Sequence, residues 1–171
     1  MSTSQNTRFS ARYLARAAIV AAIYVVLTYL AGIWNLAYGP VQFRFSEALT
    51  VLPFLMPEAI PGLFVGCVVS NLLSPYGLLD LIVGSAATLL AALWTAKCRR
   101  RGIAPLPPVV CNAVLVGAMI AWYEAGFGPG FAAAFAYNAL TVGAGEAVVC
   151  YALGLPLLGV LERRGRRRGI V

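Results

Sequence analysis

Apolar residues run through this chain in tracts of spanning length, and polar positions fall mostly between them. Residues 17–34 and 103–123 carry no charge, residues 78–96 are broken only by Asp80, and residues 131–161 only by Glu146. A helix needs about 20 such residues to cross a bilayer, so each tract predicts one transmembrane span. Residues 48–73 are equally apolar but contain Pro53, Pro57, Glu58 and Pro61. Proline removes a helix donor and restricts the residue before it, so this stretch predicts two short helices joined by a tight turn over 56–61. The expected architecture is all-α: six transmembrane helices in one bundle over 17–161, with a basic segment 1–16 before it and a basic tail 162–171 after it.

Charge fixes the expected orientation. Of 13 basic residues, twelve lie in three clusters: Arg8, Arg12 and Arg16; Lys97 and Arg99 to Arg101; and Arg163 to Arg168. Basic clusters flanking apolar runs mark the cytoplasmic side. Even numbers of crossings must then separate the clusters, which agrees with six helices and puts both termini in the cytoplasm. The expected location is the cytoplasmic membrane, and the first tract is expected to be a retained span, being longer than a signal-peptide core. Hydrophobic residues make up 61% of the chain and charged residues 11%, which excludes most soluble folds. The net charge of +7 belongs to topology and lipid headgroups, and the basic residues lack the stacking aromatics of a nucleic-acid surface.

Candidate chemistry lies in the few polar residues outside the clusters. The loop NLAYGPVQFRFSE, residues 35–47, holds Gln42, Arg44 and Glu47 on the expected outer side. A local Arg44 to Glu47 ion pair is one expectation for it. Two further outer turns carry Asn71, Tyr76 and Asp80, and Trp122, Tyr123 and Glu124. Inside the expected bilayer are Asn112, Asn138 and Glu146, the last two sharing a helix face two turns apart. An intramembrane carboxylate costs about 3 kcal/mol by insertion scales, so Glu146 is either functional or fastened to a neighbour such as Asn112. Glu58, in the expected cytoplasmic turn, is expected to face solvent or a partner protein.

Small residues one turn apart allow close helix approach. Ala17 with Ala21, Ala18 with Ala22, and Gly62, Gly66 and Ser70 have that spacing. The chain has no phosphate-binding loop, one lysine, no nucleophile elbow and no histidine, so an enzyme is not expected and neither a cofactor nor a metal is called for.

The segment YGPVQFRFSEALTVLPFLMPEAIPGLFVGCVVSNLLSPYGLLDLIVGSAATLLAAL and the later YNALTVGAGEAVVCYALGLPLL together resemble the QueT-type queuosine-precursor transporters, substrate-binding components of energy-coupling factor transporters. The resemblance implies a six-helix subunit that takes a 7-deazaguanine base from outside. It also implies a transmembrane coupling protein as partner, docked on an alanine motif of the first helix, and two separate ATPase subunits. The matching positions are Ala17 and Ala21, or Ala18 and Ala22. The candidate base site draws on Gln42, Arg44, Glu47, Asn71, Asp80, Asn112, Trp122, Asn138 and Glu146, of which the resemblance carries over only those of the outer loop and of the last-span motif. Glu47 or Glu146 would accept the guanine-like donor edge, Trp122 or Tyr76 would stack on the ring, and Asp80 would face a cationic substituent. The alternatives are a component for another small vitamin and a structural or regulatory membrane subunit.

Overall fold

The computed structural model describes residues 10–38 and 42–167. Arg8, Arg168 and residues 39–41 of the first loop lie outside the described residues. Every element among them is helical, and they form six helical segments. The first, α1, spans Ala11–Ile33, with the Ser10 hydroxyl accepting from the Tyr13 amide at 3.3 Å to cap its start. It begins six residues before the apolar tract because the arginines between are tolerated on its exposed side.

The proline-rich stretch splits as expected, with a different winding. Its first half, α2 (Phe45–Phe54), is a 3₁₀ helix containing Pro53. The tighter winding rises about 2 Å per residue against 1.5 Å in an α-helix, so ten residues reach about 20 Å instead of about 15 Å. The second half, α3, runs Ala59–Asn71. The turn is shorter than expected, because Pro61 sits in the first turn of α3, where its missing N–H is an orphan donor in any case.

Helix α4 spans Asp80–Thr95, α5 spans Arg101–Ala125, and α6 starts at Phe131 and continues to Arg167. Helices α1, α5 and α6 are long and apolar enough to cross a membrane, and α2, α3 and α4 are shorter apolar helices. Each of α4, α5 and α6 contains one π turn, at Asp80–Gly84, Asn112–Val116 and Cys150–Gly154 respectively.

The glycine stripe of α3 receives α1. A Cβ on Gly62 would lie 2.5 Å from the Ala17 carbonyl, and one on Gly66 would lie 2.9 Å from Tyr24 Cβ and 3.0 Å from the Ala21 carbonyl. This contact buries Ala17 and half-buries Ala21, leaving Ala18 and Ala22 exposed. Around it, Val20, Tyr24, Leu49, Leu52, Leu63 and Cys67 form the largest core cluster. A second cluster joins Ala87 of α4, Val116 and Ile120 of α5, and Val142 of α6. Leu14, Ile19, Ile23, Val26 and Ile33 remain exposed along α1, and only 28% of its apolar window is buried against 50% for α5. Helix α1 is therefore the peripheral helix, and its outer face is suited to lipid or another helix rather than water.

Candidate functional site

Two buried polar networks lie side by side in the bundle. The first joins the α1–α2 loop to the α3–α4 turn. Arg44, 5% exposed, donates its Nε to the Ala37 carbonyl at 2.6 Å and its Nη2 to Asp80 Oδ2 at 3.0 Å and Asn71 Oδ1 at 3.2 Å. Its guanidinium also sits 4.9 Å above the Tyr38 ring. Asn71 donates onward to the Asp80 carbonyl at 2.9 Å, and Gly84 leaves room for the Asp80 carboxylate, which a Cβ there would overlap. The Tyr38 hydroxyl donates to the Ser70 carbonyl at 2.7 Å. Burial pushes the Tyr38 phenol up against the opposing pull of Arg44, so it stays a neutral donor. Arg44 thus pairs with Asp80, 36 residues away, and not with Glu47 as the local reading expected. Through its contacts to Asp80 of α4 and Asn71 of α3, Arg44 fixes the loop to two helices at once.

The second network centres on two carboxylates with no basic partner among the described residues. Glu47 of α2, 1% exposed, accepts from the Tyr24 hydroxyl of α1 through Oε1. Thr28, one turn beyond Tyr24, donates to the Tyr24 carbonyl at 2.9 Å and lies 2.8 Å from the Ser46 hydroxyl. Thr50 donates to the Glu47 carbonyl at 2.5 Å. On the far side, Asn112 of α5 donates to Glu146 Oε1 of α6 at 2.8 Å. The Cys150 thiol lies between the two carboxylate residues, 3.5 Å from the Glu47 carbonyl and 3.6 Å from Glu146 Oε2. Four helices therefore bring their polar side chains to one buried place.

The approach to this network is covered by the loop. Gln42 is buried, and its backbone carbonyl lies so close to α6 that a Cβ on Gly145 would overlap it. Glycine is required at 145 because the extended backbone before α2 crosses the helix there, one residue from Glu146. The three π turns begin on Asp80, Asn112 and Cys150, each a member of one of the two networks. A π turn inserts a residue into the helix and is frequent at functional sites.

The remaining predicted residues lie elsewhere. Asn138 is buried, yet it donates to Glu124 Oε2 at 2.8 Å and to the Ala134 carbonyl at 2.9 Å, apart from Glu146 on the same helix. Trp122 lines an apolar groove of about 290 Å³ with Leu79, Val83, Leu115, Met119 and Phe131. Among the described residues that line it, only Trp122 carries a polar atom, its indole N–H, so the groove is suited to apolar or stacking contact. Tyr76 meets Tyr123 edge-to-face at 5.2 Å. Glu58 pairs with Arg16 at 2.6 Å, joining the α2–α3 turn to the start of α1. Burial pushes the Glu58 carboxyl up, but the hydrogen bond and charge of Arg16, with a backbone hydrogen bond, more than offset this and hold it below the usual carboxylate range.

Tyr24, Thr28, Thr50 and Cys150 were not singled out from the sequence. The available signal was that Tyr24 and Thr28, spaced i and i+4, place their polar atoms on the buried side of α1.

A family model described as QueT transporter matches residues 14–163. The curated "Queuosine precursor transporter QueT" of Lactococcus lactis subsp. cremoris (strain MG1363) is 46% identical over 72 residues, covering 42% of this chain and 42% of that protein. No solved structure gives a significant match.

Proposed function

The chain belongs to the QueT transporter family, and from that premise we propose that it is the substrate-binding subunit of an energy-coupling factor importer for a queuosine precursor. The cargo is a 7-deazaguanine base such as 7-cyano-7-deazaguanine, 7-aminomethyl-7-deazaguanine or queuine. The observation that carries this reading is the buried pair Glu47 and Glu146, with Asn112 bonded to Glu146 and, among the described residues, no basic residue bonded to either carboxylate. Ionisable groups in an apolar bundle are costly, and they persist where a ligand or a pathway uses them. A guanine-like edge presents N1–H and a 2-amino group side by side, which a carboxylate accepts, and an O6 that an amide donor satisfies. Gln42 and the network around Arg44, Asn71 and Asp80 border this region, and in this reading they shape its entrance.

In this reading ATP is hydrolysed and coupled to transport by other subunits, and the sequence contains no phosphate-binding loop. Two ATPase subunits and a transmembrane coupling protein supply that role. The exposed pair Ala18 and Ala22 on the peripheral face of α1 is the docking position, Ala17 and Ala21 being engaged by Gly62 and Gly66. The basic clusters support an orientation with both termini in the cytoplasm and the α1–α2 loop outside, in the cytoplasmic membrane.

Purification in mild detergent, followed by mass spectrometry and an ultraviolet spectrum of released small molecules, tests this assignment. A bound deazaguanine and associated ATPase subunits are expected. A solitary chain with no bound base supports a structural or regulatory membrane subunit, and a different bound heterocycle supports a component for another vitamin.

A further inference from the structure

Resting on that reading, we propose that the two buried carboxylates have different tasks: Glu47 is the acceptor that determines specificity for a 2-amino base, and Glu146 is a positioning residue that acts through Asn112. The assignment comes from the free valences of the two groups. Glu146 accepts from Asn112 Nδ2 on Oε1 at 2.8 Å, and its Oε2 lies 3.6 Å from the Cys150 thiol, whose single hydrogen it shares with the Glu47 carbonyl at 3.5 Å. Glu47 has a donor on Oε1 only, the Tyr24 hydroxyl, and its Oε2 is buried with no hydrogen-bond partner among the described residues.

Unpartnered buried carboxylate oxygens are rare in folded proteins and point to a missing donor. The other carboxylate with such an oxygen, Asp80, already carries the Arg44 ion pair on Oδ2 and packs its Oδ1 against Gly84. Among the described residues no cation is bonded to Glu47, so its Oε2 is open to a ligand N–H.

The geometry suits two adjacent donors. A carboxylate offers about four lone-pair sites, of which Tyr24 occupies one on Oε1. One ligand N–H reaches Oε2 and its neighbour reaches the second lone pair of Oε1, which is the demand of N1–H beside a 2-amino group. The Glu47 backbone is itself fixed by Thr50 at 2.5 Å. The acceptor is therefore preorganised before cargo arrives. Asn112, which spends one amide hydrogen on Glu146, retains a second hydrogen for the O6 acceptor, and Glu146 serves by orienting it.

The test is a binding comparison on the purified, full-length chain in detergent. Affinities for 7-cyano-7-deazaguanine and for its 2-deamino counterpart, 7-cyano-7-deazahypoxanthine, are measured by calorimetry for the wild type and for the Glu47→Gln and Glu146→Gln variants. The wild type is expected to prefer the 2-amino base by at least about 100-fold, as sites that hydrogen-bond a donor reject analogues lacking it. Glu47→Gln is expected to reduce this preference below about fivefold. Glu146→Gln is expected to weaken both ligands alike and keep the preference.

Undiminished discrimination in folded Glu47→Gln, or its loss only in Glu146→Gln, overturns the assignment while leaving the cargo reading intact. Should Glu47→Gln fail to fold, Glu47→Asp replaces it: the shorter side chain withdraws the acceptor and is expected to lower the preference at least about tenfold, and an undiminished preference overturns the assignment. Equal binding of both bases by the wild type also overturns the assignment. A wild type that binds neither base while binding another vitamin overturns the cargo reading itself, and the assignment with it.

Discussion

Replacing Arg44 by methionine isolates the ion pair that ties the α1–α2 loop to the bundle. The guanidinium is 5% exposed and its partner carboxylate 2% exposed. The substitution removes hydrogen bonds to Ala37, Asn71 and Asp80 while conserving most of the apolar stem. Asp80 then has neither oxygen partnered, since Oδ1 already lacks a donor. Stripping one member from a buried pair costs about 3–5 kcal/mol, chiefly through the charge left behind. For a chain of this size that corresponds to a fall of about 6–20 °C in melting temperature. Asp80→Asn alone keeps an acceptor facing Arg44 and should cost less, about 2 kcal/mol. The double variant removes the stranded charge, so the two losses should fail to add by at least about 1.5 kcal/mol. With the partly exposed Cys98 and Cys111 replaced by serine in every protein compared, a thiol-reactive fluorophore reports the transition, because Cys67 and Cys150 are fully buried and react only on unfolding. An Arg44→Met melting temperature within about 2 °C of the wild type, or strictly additive losses in the double variant, would refute the reasoning.

Three further outcomes follow from particular contacts. Gly145→Ala forces its new methyl group into the Gln42 carbonyl, so the loop must shift; binding should weaken at least about tenfold and stability fall by about 1–3 kcal/mol, and unchanged calorimetry would count against the crossing of loop and helix. Replacing Ala18 and Ala22 by leucine should leave binding of the base intact and abolish its uptake in cells carrying the coupling and ATPase subunits, whereas wild-type uptake would remove the docking proposal. The Arg16–Glu58 pair lies at the bundle end with Arg16 59% exposed, so Glu58→Gln should cost at most about 1 kcal/mol at pH 7. Because the folded carboxyl is held below its unfolded value of about 4.3, that advantage exists above the unfolded value and is lost as pH falls through the folded one. Melting curves of the two proteins should converge below about pH 4, and a gap that widens in acid would contradict this.

Much of the architecture was legible because membrane helices write themselves as long uncharged runs. Tracts 17–34, 103–123 and 131–161 correspond to α1, α5 and α6, and the prolines at 53, 57 and 61 marked the break that separates α2 from α3. The 3₁₀ winding of α2 and the three π turns were not legible, since they arise from how a helix is accommodated among neighbours and not from its own composition. In the site, Glu146 with Asn112 could be anticipated as two polar residues in facing apolar spans. The partners of Arg44 and Glu47 could not. Both carboxyl and guanidinium groups have nearer polar neighbours in the chain, and only the packing of α1 on the Gly62 and Gly66 stripe brings the Tyr24 hydroxyl to Glu47. A tyrosine in an apolar helix reads as a membrane-facing ring until that packing is known.

The central claim is that this chain by itself recognises a queuosine precursor. Calorimetric titration of the purified wild-type chain with a panel of 7-deazaguanines, purines, pterins and vitamins tests it most directly. Saturable binding of one 7-deazaguanine per chain is expected, displaced by no other member of the panel outside that class. No binding of any deazaguanine, or tighter binding of another heterocycle, would contradict it.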